Sequence, residues 1–170
     1  MNNNQGWLNI YKPLGISSFK VVKKIKKKFN LKKIGHGGTL DPLAEGVLPI
    51  AIGKTTKLIP FINCDVKEYE FEIKWGEQTL TDDAEGEVIY KSDNIPSLDA
   101  IKNKLLEFKG KILQKPPKAS AIKINGKRAY QLLREQKDFE IKEKSVFIYK
   151  TKILDSTNNL ITKIKIKCGK

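Results

Sequence analysis

The residue whose chemistry most needs an explanation is Asp41, an acid within a glycine-rich stretch of a strongly basic chain. This stretch, Ile34–Lys57, reads IGHGGTLDPLAEGVLPIAIGKTTK and also holds the only histidine of the chain, His36. A carboxylate held on a rigid turn can act as a nucleophile or a base. An aspartate before a proline can equally serve the turn itself, because its side chain bonds nearby backbone N–H groups. The residues alone leave both roles open.

His36 and Tyr69 are two further candidates for a site. His36 can stack on a ligand, bond to a phosphate or satisfy a loop carbonyl. The glycines around it lack the G-x-x-x-x-G-K-[ST] spacing of a phosphate-binding loop, which disfavours an NTPase. Tyr69 begins the alternation YEFEIKW, which predicts a strand. Packing in a core is the ordinary role of such a tyrosine, and stacking on a nucleic-acid base is the more specific, functional alternative.

Charge is the feature that best predicts a partner. The chain carries 33 Lys and Arg against 19 Asp and Glu, a formal net charge of +14. Such a balance favours a polyanion, with nucleic acid ahead of a membrane surface or a simple effect on solubility. Many of the lysines fall in one predicted helix, whose candidate contacts to an RNA backbone are Lys20, Lys23, Lys24 and Lys27. A solvated helix face is the alternative, although lysines with no acid to pair them repel one another.

The elements that must position these residues mix strands and helices without a regular βαβ rhythm. Strands are predicted at 7–11, 47–52, 69–75, 88–90, 145–154 and 160–168, and helices after Ser17 or Ser18, at 54–62, after Ser97 and at 129–135. Pro49 predicts an edge, a bulge or a strand end. The fold class expected is α+β, with a mixed, largely antiparallel sheet flanked by helices, in one domain.

Composition also limits the chemistry. Cys64 and Cys168 form no CxxC motif, so both are expected to be reduced thiols. With a single histidine and two separated cysteines, a structural metal site is not expected. The N-terminal residues show no signal peptide, and no apolar run is long enough to cross a membrane. We therefore expect a cytoplasmic protein, without a membrane partner, acting as a monomer.

Four ordered blocks of the sequence resemble the TruB family of tRNA pseudouridine-55 synthases. The most specific is GHGGTLDPLAEGVLPIAIGKTTK, and the others are YKPLGISS at 11–18, KEYEFEIKWGEQTLTDDAEG at 67–86 and QKPPKASAIKINGKRAYQLLRE at 114–135. The resemblance implies the pseudouridine synthase catalytic fold, a tRNA T-arm stem-loop as substrate, and isomerisation of uridine 55 without metal or cofactor. It also implies roles for three residues: Asp41 as the catalytic aspartate, His36 against the target nucleotide, and Tyr69 stacked on the target uracil.

The chain departs from the family at its end. It stops at Lys170, where family members continue into a Tyr-Ile-Arg motif whose arginine pairs with the catalytic aspartate. We therefore expect residues 1–170 to form a C-terminally incomplete catalytic domain, from a truncated chain or a split gene, with no RNA-binding PUA domain. The alternative function is a truncated, non-catalytic tRNA-binding or RNA-folding module on the same scaffold. A basic structural protein is a third possibility, which the Asp41 loop disfavours.

Overall fold

The computed structural model describes residues 4–62, 65–120, 122–157 and 160–169. The chain forms two compact units, which meet in the sequence between residues 64 and 65. The described elements of the first unit are β1 (Gly6–Lys12), α1 (Ser18–Lys28), β2 (Ile34–His36), β3 (Gly46–Ile52) and a 3-10 helix (Gly53–Phe61). The strand predicted at 7–11, the strand at 47–52 and both helices are confirmed, the second helix with 3-10 geometry.

The first unit packs α1 on one face of a three-stranded antiparallel sheet with the order β1-β3-β2. Buried apolar residues of α1 and β3 form its core: Val21, Val22, Leu48 and Ile50. Partly buried neighbours from β1, α1, β2 and the loops pack against it: Leu8, Ile10, Ile16, Ile25, Ile34 and Leu40. Ser17 begins the helix as its N-cap, because its hydroxyl accepts from the Lys20 N–H at 3.3 Å. The apolar spacing and the cap together explain why this segment is helical.

Pro49 was predicted to mark an edge, a bulge or a strand end, and because β3 is the central strand, the first of these alternatives is wrong. The Gly37 N–H donates to the Pro49 carbonyl at 2.8 Å. In an antiparallel sheet the N–H and the C=O of one residue point toward the same neighbouring strand. Because the Pro49 carbonyl faces Gly37, the N–H that proline lacks would have faced β2 and not β1. β2 ends at His36, one residue before it would need that donor. The proline therefore ends the pairing with β2 while the pairing with β1 continues.

The second unit is built on a four-stranded antiparallel sheet with the order β4-β11-β10-β7. Two short two-stranded ribbons, β5-β6 and β8-β9, accompany it. Its described elements are β4 (Val66–Lys74), β5 (Glu77–Thr79), β6 (Val88–Lys91), α2 (Leu98–Glu107), β7 (Gly110–Gln114), β8 (Lys123–Ile124), β9 (Lys127–Arg128), α3 (Ala129–Arg134), β10 (Lys144–Thr157) and β11 (Ile161–Gly169). The α+β class with largely antiparallel sheets is confirmed.

Alternation along β4 and β11 gives the large sheet two chemically different faces. On one face Tyr69 and Phe71 lie opposite Ile166 and Ile164, and the other face carries glutamates opposite lysines. Ile164 is buried, which places the core on the first of these faces. Where β4 ends, the Trp75 indole N–H donates to the hydroxyl of the buried Thr162 at 2.8 Å. This bond satisfies a polar group that would otherwise cost free energy in the interior.

Several smaller predictions have different outcomes. The polar, acidic segment 76–86, whose composition predicts a loop, contains the strand β5, which pairs with β6 as a ribbon. Asn158 and Asn159 predict a turn between the strands expected at 145–154 and 160–168, and this turn lies outside the described residues, as does Cys64. Cys168 is described and is a free thiol, and burial raises its pKa. None of the described helices is long and apolar enough to cross a membrane.

Candidate functional site

Asp41 lies in the connection between β2 and β3, residues 37–45. Hydrogen bonds join this connection to the rest of the first unit just before Asp41 and just after it. The Ser18 hydroxyl donates to the Leu40 carbonyl and accepts from the Leu40 N–H, both at 2.9 Å. The Gly15 N–H donates to the Pro42 carbonyl at 2.8 Å. The residues before and after Asp41 are therefore both fixed, Leu40 to the first residue of α1 and Pro42 to the segment that precedes α1.

The turn at Asp41 is closed by the backbone. The Ala44 N–H donates to the Asp41 carbonyl at 3.0 Å, so a main-chain bond closes the turn that the Asp-Pro pair predicted. The Asp41 side chain is exposed, and among the described residues no hydrogen bond or ion pair holds its carboxylate. The carboxylate is thus accessible to a ligand from a backbone that is fixed.

The segment that holds Asp41 is itself anchored by a buried charge. Lys12 is fully buried, and its ammonium donates to the carbonyls of Pro13 at 2.9 Å and Ile16 at 2.7 Å. A buried ammonium is costly unless hydrogen bonds compensate it, so these carbonyls must stay close to it. They belong to the turn that carries Gly15. Lys12 therefore supports the Asp41 loop indirectly, a role that the sequence analysis missed because lysine is among the residues least often buried.

The Asp41 loop ends where β3 begins to pair with β1. Glu45 is the last residue before β3 begins at Gly46, and Gly46 lies opposite Lys12 of β1. The carboxylate of Glu45 near the Tyr11 hydroxyl raises the pKa of Tyr11. The loop is consequently held at its middle by Ser18 and Gly15 and at its end by the pairing of β3 with β1.

His36 is the last residue of β2 and lies at the start of the same loop, where the prediction had placed it in irregular structure. Its Nδ1 is hydrogen bonded to the Gly38 carbonyl. Because a carbonyl can only accept, the proton of this bond belongs to Nδ1, and Nε2 takes no part in it. Gly38 has φ of +123°, a conformation that favours glycine and turns its carbonyl back toward the histidine. His36 and Asp41 thus share one unit and one loop.

Tyr69 belongs to the second unit, on the edge strand β4. It pairs with Ile166 across the strands and keeps 41% of its surface exposed. Such exposure is more than a core tyrosine shows, so its ring retains a face that a ligand can cover. The neighbouring Phe71 on the same side of β4 is exposed to the same extent, 41%.

The four lysines predicted to contact RNA form one stripe on α1. Their spacing of i, i+3, i+4 and i+7 places them on a single helical face, opposite the buried residues Ser18, Val21 and Val22: Lys20, Lys23, Lys24 and Lys27. All four are exposed, and none forms an ion pair with an acidic residue in the part of the chain that the structure describes. Lys26, Lys27 and Lys28 occupy the last turn, where cations also stabilise the helix dipole.

Within residues 4–62, 65–120, 122–157 and 160–169, no group of three or more histidine, cysteine or acidic side chains is placed to hold a metal ion. The chemistry that the described site residues offer is that of an exposed carboxylate on a fixed turn, an imidazole at the start of the same loop and an exposed phenol on a separate unit. Sequence reasoning found these three residues and missed the groups that hold Asp41 in place.

Comparison with known proteins shows which family the chain belongs to. A model of the TruB family pseudouridylate synthase N-terminal domain matches residues 26–170. The chain belongs to this family. The match includes His36, Asp41 and Tyr69, although it does not by itself assign their roles.

TruB family relatives resemble almost all of this chain, yet the chain spans only about half of their length. It is 49% identical to the tRNA pseudouridine synthase B of Wolbachia pipientis over 166 residues, which cover 96% of the chain and 47% of the relative. It is 47% identical to the protein of the same name from Agrobacterium fabrum over 165 residues, 97% of the chain and 52% of the relative.

Solved structures confirm the fold. A chain of a Cbf5–Nop10–Gar1 complex matches with a TM-score of 0.67 and 29% identity, over 96% of this chain and 39% of that one. A chain of an H/ACA RNP bound to a substrate RNA containing 2′-deoxyuridine matches with a TM-score of 0.66 and 25% identity, over 96% of this chain and 38% of that one. The α+β fold is therefore that of the pseudouridine synthases.

Proposed function

We propose that this chain belongs to a tRNA pseudouridine synthase that isomerises uridine 55 in the T-loop of tRNA, with Asp41 as its catalytic carboxylate. The observation that carries the proposal is the exposed Asp41 side chain on a loop that Ser18 and Gly15 fix on both sides. Family membership supports it, since curated relatives are named tRNA pseudouridine synthase B. We expect the protein to act in the cytoplasm as a monomer.

The reaction exchanges one bond of the nucleotide for another and needs no redox partner. The bond between C1′ of the ribose and N1 of uracil breaks, the uracil turns, and C5 joins C1′. The proton on C5 leaves to a base and N1 gains a proton, so atoms and electrons balance without a cofactor. Asp41 assists either by attacking C1′ or by removing the 2′ proton, and both need a carboxylate close to the sugar.

The other residues bind and orient the nucleotide in this proposal. The target base must leave its stack at a cost of a few kcal/mol, and an aromatic face returns about 1–3 kcal/mol per base. Tyr69 supplies that face and is a candidate acceptor for the C5 proton. The Nδ1 bond of His36 holds its ring against the loop, with Nε2 available to the nucleotide. The lysine stripe of α1 contacts RNA phosphates.

Replacement of Asp41 tests the proposal. In the complete natural protein that carries this chain, Asp41→Ala should lower pseudouridine formation on a T-arm stem-loop by at least about 10³-fold, because a catalytic nucleophile or base is lost. Binding of the same RNA should change less than about threefold, since a carboxylate adds little attraction to a polyanion. In the same assay Tyr69→Phe should keep RNA binding and lower turnover.

The result distinguishes the two functions considered for this chain. Loss of RNA binding together with turnover in Asp41→Ala would overturn the assignment of Asp41 to chemistry. Tight T-arm binding by a wild-type protein that forms no pseudouridine would favour a non-catalytic tRNA-binding module on the same scaffold. Wild-type turnover in Tyr69→Phe would remove the role of the Tyr69 hydroxyl as a base.

A further inference from the structure

The Ser18 hydroxyl both donates to and accepts from one residue next to Asp41. It is the first residue of α1, and only 2% of its surface is exposed. Its hydroxyl donates to the carbonyl of Leu40 and accepts from the N–H of Leu40, each at 2.9 Å. The two residues are 22 positions apart in the sequence, so this contact joins the helix to the loop across the unit.

Ser17, its neighbour, provides an internal comparison. The Ser17 hydroxyl accepts from the Lys20 N–H at 3.3 Å and thereby caps α1. That bond stays within the helix, whereas the bonds of Ser18 leave it. Two adjacent serines therefore do separate work: Ser17 stabilises the helix end, and Ser18 fixes the loop.

The position of the Ser18 bonds matters because they act on the peptide groups beside Asp41. Leu40 is held through both its N–H and its C=O, and Pro42 is held through the bond from the Gly15 N–H at 2.8 Å. The backbone of Asp41 thus spans two fixed residues. A misplacement of about 1 Å can cost on the order of 10²-fold in rate when a reacting group must meet its target atom.

We propose that Ser18 is a positioning residue. By its two hydrogen bonds it clamps Leu40, and it thereby holds the Asp41 carboxylate in the position and orientation that the reaction requires. This inference rests on the proposed function, since it assigns Ser18 a part in the same chemistry. Ser18 does not touch the reacting atoms in this account. Its effect reaches them only through Leu40 and the backbone of Asp41.

Removal of the hydroxyl has a specific structural consequence. In Ser18→Ala the N–H and the carbonyl of the partly buried Leu40 lose their partner, which favours a shifted loop that lets water reach them. Ser17→Ala, the matched control, removes a hydroxyl from the adjacent serine and costs a helix cap without touching Leu40. The difference between the two variants therefore isolates the clamp from the general stability of α1.

The experiment measures both the clamp and its consequence in the complete natural protein. Hydrogen exchange of the Leu40 amide should quicken at least about tenfold in Ser18→Ala and stay near the wild-type rate in Ser17→Ala. Turnover of a T-arm stem-loop should show kcat lowered about 10–100-fold in Ser18→Ala, with KM within about threefold of wild type. Ser17→Ala should keep kcat within about threefold.

Each other outcome overturns the proposal in a recognisable way. Faster Leu40 exchange with unchanged kcat means that the clamp exists without positioning Asp41. A raised KM with unchanged kcat assigns Ser18 to RNA binding, and equal losses in both serine variants assign it to helix stability. A wild-type protein that forms no pseudouridine overturns the proposed function first, and the positioning role falls with it. If Ser18→Ala does not fold, Ser18→Cys, similar in size and a weak hydrogen-bonding group, replaces it, and wild-type kcat there overturns the proposal.

Discussion

Two lysine-rich elements of this chain have opposite electrostatic surroundings, although both look similar in the sequence. Helix α1 contains six lysines and no acid, and its stripe of Lys20, Lys23, Lys24 and Lys27 faces away from the core. Strand β11 alternates lysines with apolar residues, and there the lysines meet glutamates of β4: Lys165 reaches Glu68 at 3.2 Å and Glu70 at 3.3 Å. The charges of Lys165 and Lys167 on β11 are balanced within the fold, and the charge of α1 is left for a partner.

This difference shows that a net charge of +14 does not describe the surface that an RNA would meet. A lysine that already faces a carboxylate neutralises an approaching phosphate less fully, so fewer counterions leave the RNA when it binds. Lysines on an acid-free helix face repel one another and gain more from a polyanion. The comparison therefore predicts that α1 contributes most to RNA affinity and β11 contributes little.

The largest expected effect comes from removing the charge of the α1 stripe. Replacing Lys20, Lys23, Lys24 and Lys27 together by Gln should weaken binding of a T-arm stem-loop about 10²-fold near 0.15 M salt. The slope of log affinity against log salt should become shallower by about 3, because four phosphate contacts are lost. A titration at three salt concentrations measures both quantities, and a thermal melt checks folding, since Lys27 also stabilises the helix end. An unchanged salt slope would mean that the stripe is a solvated surface.

The fold could be predicted from the sequence wherever a pattern reflects local burial. The alternation from Tyr69 onward predicted β4, and the spacing of apolar residues after the Ser17 cap predicted α1. The position of Pro49 in the sheet was harder to predict. A proline is tolerated in β3 because β2 ends beside it, and no local sequence pattern shows where a partner strand ends. The short strand β5 was missed for the same reason: its pairing with β6, rather than its composition, makes it a strand.

The site divides in the same way between residues that chemistry reveals and residues that only geometry reveals. Asp41, His36 and Tyr69 stand out by type and by their resemblance to a family, and the roles given to them here remain predictions. Ser18 and Lys12 are ordinary residues in the sequence, and their importance to the loop follows from two contacts: a bond across 22 positions and complete burial of an ammonium. Neither contact leaves a local signature.

A smaller effect is expected where lysines already have partners. Replacing Lys165 and Lys167 together by Gln should change T-arm affinity by less than about threefold, because both lysines face Glu68 in the free protein. The matched variant is the pair Lys23 and Lys27 replaced by Gln, which removes the same charge from α1. Binding assays on the two double variants compare the elements directly. Equal losses would show that total charge, and not its placement, sets the affinity.

The smallest expected effect is on stability, and it gives the comparison a pH dependence. The bond between Glu68 and Lys165 lowers the pKa of Glu68 from 4.5. The contribution of Glu68 to stability is therefore present above pH 4.5 and disappears as the pH falls through the lowered pKa. The pKa of Lys165 is raised from 10.5 by the same bond, so this partner's contribution is complete below 10.5 and is lost as the pH rises through the raised value.

Glu68→Gln should therefore unfold at a slightly lower urea concentration than wild type between about pH 5.5 and 9, where both partners are charged. The difference should narrow below pH 4.5 and above pH 10.5, as first the glutamate and then the lysine loses its charge. Glu143→Gln, at an exposed glutamate outside the ion pairs found in the described residues, supplies the baseline for removing one negative charge from a basic protein. If the urea midpoints of Glu68→Gln and Glu143→Gln differ by the same amount from pH 3 to 7, the pair on β4 and β11 does not neutralise the strand lysines. The contrast with α1 would then lose its electrostatic basis.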